Sequence, residues 1–261
     1  MEINLSPILI TIGSWEFRWY SAILIISAAL ALLFLLLEAR RLGLSRAHAI
    51  VLFLWGIVFK ITFAKLFLFF DRWELYSADP AKILDPSSGR LDGGIIGYIL
   101  LLIIYSRVIK FPFWRMSDLV IPCLAVAVAA GRIGCFINGC CYGVACDLPW
   151  AIIYTDPHSY ASINTPLHPV QLYQAAWYAA VFMTVWLLRK HLKPEGSLFL
   201  LFIMLHAAGD LVTRFFRTDN TFFLGLQQAQ VISILMLLVC IPLYLIRQYR
   251  YRQTHINGAD G

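Results

Sequence analysis

Gly131–Gly143, GRIGCFINGCCYG, is the stretch whose reading decides how the rest of this chain is understood. It starts inside an apolar run, 119–130, of the kind that builds a membrane helix, yet it carries Arg132, Asn138 and the cysteines Cys135, Cys140 and Cys141. An arginine at hydrocarbon depth costs roughly 2.5 to 3.5 kcal/mol on insertion scales, so it faces a partner or a bound ligand, or else snorkels to the interface as a structural residue. Gly131, Gly134, Gly139 and Gly143 weaken a helix and let backbone come close to a neighbouring helix or a ligand. The stretch therefore reads as a polar site set into a membrane helix rather than as a plain helix end.

Outward from this stretch, the composition agrees with a membrane setting. Hydrophobic residues make up 60% of the 261 and charged ones 14%, with a mean hydropathy of +0.74, outside the range of soluble globular domains. The net charge of +6 does not point to nucleic acid, because Lys and Arg are scattered through short connectors instead of forming one patch with interleaved aromatics. Apolar windows of about 20 residues lie near 19–38, 48–70, 94–109, 117–136, 169–188, 197–216 and 225–246, the third being short and tilted or partly re-entrant. Lys and Arg gather in 39–47, 108–116, 189–196 and the tail from 247, whereas the long loop 144–167 has neither. By the positive-inside rule the N-terminus and that loop face outward and the C-terminus faces the cytoplasm. Trp15, Trp19 and Tyr20, Trp114, Trp150 and Tyr154 stand at segment ends as interfacial aromatics do. No basic region followed by a short apolar run and a small-residue cleavage site opens the chain, so a cleaved signal peptide is not expected. The fold expected is an all-α polytopic membrane protein of about seven transmembrane helices, in one transmembrane domain over 1–250 with a polar, disordered tail over 251–261.

Other polar residues stand at comparable depth. Lys60 and Lys65 fall within the second apolar window and should line the bundle interior or snorkel. Asp92-Gly93-Gly94 follows an outer loop with turn chemistry, and adjacent glycines at an interface can present backbone N–H groups to an anion such as a lipid phosphate. His168-Pro169-Val170-Gln171-Leu172-Tyr173 places a proline where a helix opens, leaving outward-facing N–H groups. In the sixth window His206, Asp210 and Arg214 recur every four residues and share a helix face, with Arg217 just beyond; Asp210 and Arg214 can pair locally. Gln230 and Ser233 open the seventh. The cysteines Cys135, Cys140, Cys141 and Cys146 are spaced C-x4-C-C-x4-C. On an oxidising outer face this permits disulfides of Cys140 or Cys141 with Cys146, and a tetrathiolate zinc site is the second option; without paired C-x2-C no metal is expected.

The central stretch resembles the signature of the prolipoprotein diacylglyceryl transferase family, Gly-Arg-x-Gly-Asn-Phe-(Ile/Leu)-Asn-Gly-Glu-x-x-Gly. Gly131, Arg132, Gly134, Phe136, Ile137, Asn138, Gly139 and Gly143 match; Cys135 stands at the family Asn and Cys140 at the family Glu. The run from His168 to Tyr173 is similar to the family's His-Pro-(Ser/Thr)-Gln-Leu-Tyr-Glu, with Gln174 for the final Glu, and Tyr20 matches a family tyrosine. Asp92 replaces the family histidine ahead of Gly-Gly, and Asp210 and Arg214 exchange the family's Arg and Glu, while Gly209 and Arg217 are kept. The resemblance implies a multi-pass enzyme of the bacterial cytoplasmic membrane with its active site toward the outer leaflet. Its activity would move the diacylglyceryl group of phosphatidylglycerol to the thiol of a prolipoprotein lipobox cysteine, without a cofactor. Its partners would be phosphatidylglycerol, the lipobox segment and the surrounding membrane lipids.

On this reading His206, Asp92, Arg132, Asp210 and Arg214 are the catalytic candidates, with His206 as base oriented by Asp210 and Asp92 as the competing base. Tyr20, Gly93, Gly94, Asn138, Gly143, His168, Gln171, Tyr173, Arg217 and Gln230 are the substrate-binding candidates. The alternatives are a divergent paralogue with another acceptor and a non-enzymatic lipid or solute transporter. Against the transporter, the two halves of the chain show no internal repeat.

Overall fold

The computed structural model describes residues 2–13, 15–71, 73–80, 83, 91–217 and 221–257. The chain is mainly helical, and its long helices fall on the apolar windows. They are α1 (Trp19–Leu42), α2 (Arg46–Asp71), a short α3 (Trp73–Ala78), α4 (Leu91–Val108), α5 (Phe113–Asn138), α6 (Val170–Leu188), α7 (Ser197–Arg214) and α8 (Gln228–Asn257). Among the described residues five helical stretches are long and apolar enough to cross a membrane: Trp19–Leu42, Arg46–Phe70, Phe113–Asn138, Ser197–Arg214 and Gln228–Thr254. The stretch Gly93–Val108 of α4 is a shorter apolar helix, in keeping with its short window.

The helix ends are made by local chemistry. Gly43 lies at φ 79° after α1, and the Leu44 N–H donates to the Ala39 carbonyl at 2.9 Å, the six-to-one bond of a glycine-terminated helix. Ser45 caps α2, its Oγ accepting from the His48 N–H at 3.2 Å. The central stretch is a helix end of the same kind as α1's, contrary to its reading above. α5 runs through Gly131 and Gly134 to Asn138, Gly139 takes φ 73°, and the Cys140 N–H donates to the Cys135 carbonyl at 3.1 Å. Helix propensity lost at two glycines is a small penalty inside a long apolar segment, so the helix continues until the left-handed residue stops it. Pro169 precedes α6 as its cap rather than as its first helical residue. α8 continues to Asn257, so the segment expected to be a disordered tail is helical through 257, and 258–261 lie outside the described residues.

Short strands supplement the helices. β1 (Glu2–Ile3) pairs in parallel with β4 (Ile153–Tyr154); β2 (Ile8–Ile12) and β3 (Trp15–Arg18) form an antiparallel ribbon; and β5 (Thr221–Phe223) pairs with β6 (Leu226–Gln227). The loop 144–167 carries a small core of its own, Ile152, Tyr154, Ala161 and Leu167, covered by Ile3, Phe136 and Tyr142.

The chain divides into two compact units, Met1–Phe34 with Ile121–Gly261, and Leu35–Val120. In the second, α4 lies so close on α2 that a Cβ on Gly93 would meet the Phe63 carbonyl oxygen and the Phe67 Cβ, each at 2.4 Å, and one on Gly97 would meet the Phe63 Cβ at 2.6 Å. Lys65 donates to the Ile83 carbonyl at 2.6 Å, and Glu38, almost fully buried, is paired by Arg41.

Candidate active site

The first unit brings together the end of α5, the loop after it, the start of α6 and one face of α7. α5 ends at Asn138, which is buried: its Oδ1 accepts from Arg18 Nη1 at 3.2 Å, and its Nδ2 lies 4.0 Å from the Cys140 sulfur. Arg18 also donates to the His158 carbonyl at 3.2 Å and lies over the Tyr160 ring at 4.5 Å, fixing the loop 144–167 onto α5. Tyr20 closes on α5 from α1; a Cβ on Gly134 would sit 3.2 Å from its ring.

The turn 139–143 leaves no room for larger residues. A Cβ on Gly139 would fall 2.0 Å from Ser159 Oγ, and one on Gly143 would meet the Phe216 carbonyl oxygen at 2.5 Å and His168 Cβ at 2.6 Å. Gly143 donates its N–H to the His168 carbonyl at 3.0 Å, tying the turn to the start of α6. Gln171, fully buried, donates Nε2 to the Cys140 carbonyl at 2.8 Å. His168 Nδ1 lies 3.3 Å from the Tyr173 hydroxyl, which accepts from Trp150 Nε1 at 2.8 Å. Beside this group lies an apolar cavity of about 520 Å³, lined by Trp150, His168, Tyr173, Trp177, Val212 and Phe216 among others.

Cys135, Cys140 and Cys141 converge, with their sulfur atoms all within 4.8 Å of one another; Cys146 is outside this group, and all six cysteines are free thiols. Cys141 takes φ 61°, a left-handed backbone unusual for a residue other than glycine. Its thiol is held well below the ordinary range by hydrogen bonds from the Cys135 and Cys140 thiols, and the guanidiniums of Arg132 and Arg217 favour the anion further, against burial. The same thiol contacts, with burial, push Cys140 up. Burial first, then the nearby thiols, pushes the Tyr154 phenol up; it donates to the Phe136 carbonyl at 2.9 Å as a neutral group.

Arg132 itself is half-buried on α5 and makes no hydrogen bond or ion pair with another described residue. On α7, Asp210 and Arg214 form the expected i, i+4 pair, with Nε to Oδ1 at 3.3 Å, and Ser233 of α8 lies 3.5 Å from Oδ2. His206 Nδ1 meets the Tyr178 hydroxyl of α6 at 2.5 Å, and the Asp210 carboxylate accepts from Arg214 Nε. Gln230 Oε1 accepts the Gln227 N–H at 2.9 Å, the reach of a third-position Gln back to the start of its own helix, and Gln227 Nε2 bridges the Arg214 and Arg217 carbonyls at 3.1 and 2.8 Å. Gly93 and Gly94 belong to the second unit, and Asp92 lies in the first turn of α4 with its side chain outside those described.

Arg18, Tyr178 and Gln227 were not singled out from the sequence. Arg18 and Tyr178 act on residues far along the chain, and only the Gln227–Gln230 spacing offered a local signal.

With this geometry in view, the comparisons with known proteins agree. The family model described as prolipoprotein diacylglyceryl transferase matches residues 7–246. The chain belongs to that family. It is 33% identical over 254 residues to the phosphatidylglycerol–prolipoprotein diacylglyceryl transferase of a Dehalococcoides mccartyi strain, covering 97% of this chain and 98% of the relative. The correspondingly named protein of Listeria innocua is 29% identical over 259 residues, covering 94% and 91%, and that of Clostridioides difficile 30% over 227, covering 86% and 88%. The family match runs across both compact units, so the helices of each belong to one family pattern.

Proposed function

We propose that this protein is a membrane-embedded transferase that moves the diacylglyceryl group of phosphatidylglycerol onto the thiol of a prolipoprotein lipobox cysteine, releasing glycerol phosphate. The observation that carries the reading is Arg132: a guanidinium in an apolar helix, with no hydrogen-bond or ion-pair partner among the described residues, is an anion site by its energetics. In the displacement, the acceptor sulfur forms a bond to the glyceryl carbon, the bond from that carbon to the phosphate oxygen breaks, and the phosphate leaves with the electron pair. The thiol proton passes to a base. Arg132 binds the phosphate and stabilises the charge that grows on it, aided by Arg214, which also pairs with Asp210, or by Arg217. His206, held by Tyr178, is the base, with Asp92 as the competing one. The apolar cavity beside His168 and Tyr173 offers an acyl chain a place next to the headgroup. Gly93 and Gly94 are proposed to present backbone N–H groups to an anion such as a lipid phosphate, in addition to their packing on α2.

The membrane placement completes the proposal. Seven helices, α1, α2 and α4–α8, span the cytoplasmic membrane, the loop 144–167 faces outward and the C-terminus faces the cytoplasm, as the distribution of Lys and Arg supports. The decisive assay uses the purified protein in phosphatidylglycerol vesicles with a lipobox peptide. A diacylglyceryl mass gain on the peptide cysteine is expected. Movement of lipid between leaflets with no covalent change to the peptide would replace the enzyme reading with transport.

A further inference from the structure

We propose that Cys135, Cys140 and Cys141 form a three-thiolate binding site for a thiophilic divalent cation of the zinc type. All three sulfurs lie within 4.8 Å of one another. Around a tetrahedral zinc with bonds of about 2.3 Å, sulfurs sit about 3.8 Å apart, a contraction that small χ1 rotations supply. A disulfide would join two of these thiols and strand the third, whereas one cation engages all three.

The surroundings resemble the support that ligand sets require. Cys135 sits in the last turn of α5, so its direction is set by a rigid helix. Gln171, buried on α6, holds the Cys140 carbonyl at 2.8 Å, and Asn138, also buried, approaches the Cys140 sulfur at 4.0 Å while Arg18 fixes its other end. Cys141 is turned into the group by its left-handed backbone. Outer contacts of this kind orient thiolates toward a metal. Binding balances as one divalent cation plus three thiols giving a tris-thiolate complex of charge minus one and three released protons. Arg132 and Arg217, whose charges reach Cys141, offset that negative charge. The fourth coordination position is left to a water or a substrate atom. Cys146 takes no part, which separates this site from the four-cysteine arrangement that the spacing suggests.

The test uses the full-length protein in detergent, reduced and stripped of metal, titrated with Co²⁺ and then Zn²⁺. Thiolate-to-cobalt charge-transfer absorption should appear and be bleached by one equivalent of Zn²⁺. Mass mapping after alkylation should show Cys135, Cys140 and Cys141 shielded by Zn²⁺ and Cys146 unchanged. Cys135→Ser and Cys141→Ser should each weaken Zn²⁺ binding by more than about a hundredfold, and Cys146→Ser should leave it intact. If a serine variant does not fold, the shielding pattern of the unaltered protein decides the matter. Absence of the charge-transfer bands, equal alkylation with and without Zn²⁺, or loss of binding in Cys146→Ser would overturn the site. Because uptake is measured without lipid or peptide, failure of the transferase reading leaves this result standing, and the reverse holds equally.

Discussion

Replacing Arg132 with Lys keeps the charge and removes the planar fork, so the loss it causes measures how much of the site depends on two-point recognition of a phosphate. Arg132→Lys is expected to lose most transfer activity, on the order of a hundredfold in kcat/KM, with the protein still folded; full activity would make Arg132 a structural residue. The base is tested by pH. A neutral imidazole accepts the thiol proton, so the rate should rise with pH as the imidazole loses its proton. His206→Gln should abolish that rise. Tyr178→Phe, which removes the hydroxyl on Nδ1, should shift it and lower kcat more than it changes KM. If His206→Gln keeps rate and profile while Asp92→Asn stops turnover, the base is Asp92. Most single residues of the candidate site stood out in the sequence because a charge or amide inside an apolar run is conspicuous. Tyr178 was not, since a tyrosine in an apolar helix carries no signal until the ring it meets, 28 positions later in the chain, is placed opposite it.

At the scale of the helix, apolar length gave the positions of the elements, and termini followed less well. The window 117–136 already ran through Gly131 and Gly134, and α5 extends past it to Asn138, because helix continuation inside an apolar segment depends on backbone hydrogen bonding more than on propensity. The Gly93–Gly94 pair shows the opposite ambiguity. Its glycines suit phosphate contact and also suit α2–α4 packing, and sequence alone carries no distance to weigh the two. Packing predicts that Gly97→Ala, with its Cβ 2.6 Å from that of Phe63, costs about 1–3 kcal/mol through forced separation of the helices. A clear drop in melting temperature in detergent is the expected readout, and an unchanged one would mean that α4 slides freely on α2. Gln230→Ala removes the acceptor for the Gln227 N–H and should cost about 1 kcal/mol; a rise in KM beyond that loss of stability is the outcome expected of a substrate contact, and an unchanged KM would leave Gln230 as a helix cap alone.

Across the whole molecule, the placement of Lys and Arg predicts which loops meet which solvent. A membrane-impermeant label should reach single cysteines placed in 144–167 only from outside and those in 189–196 only from inside, and the reverse pattern would invert the orientation. The short strands and the fold of the loop 144–167 were invisible beforehand, because two-residue pairings leave no periodicity to read. They also impose an order on biogenesis. Arg18 finds its partners 120 and 140 residues later, and the carbonyl of Ile3 receives Thr155 Oγ1 across 152 residues. A ribosome adding residues at about 5–20 per second thus delivers β1 and Arg18 many seconds before their partners exist, while β2 and β3 can pair at once. Until residues 138–158 emerge, the leading segment must wait with its arginine and the edge of β1 uncovered, so these contacts close only after more than half of the chain has been made.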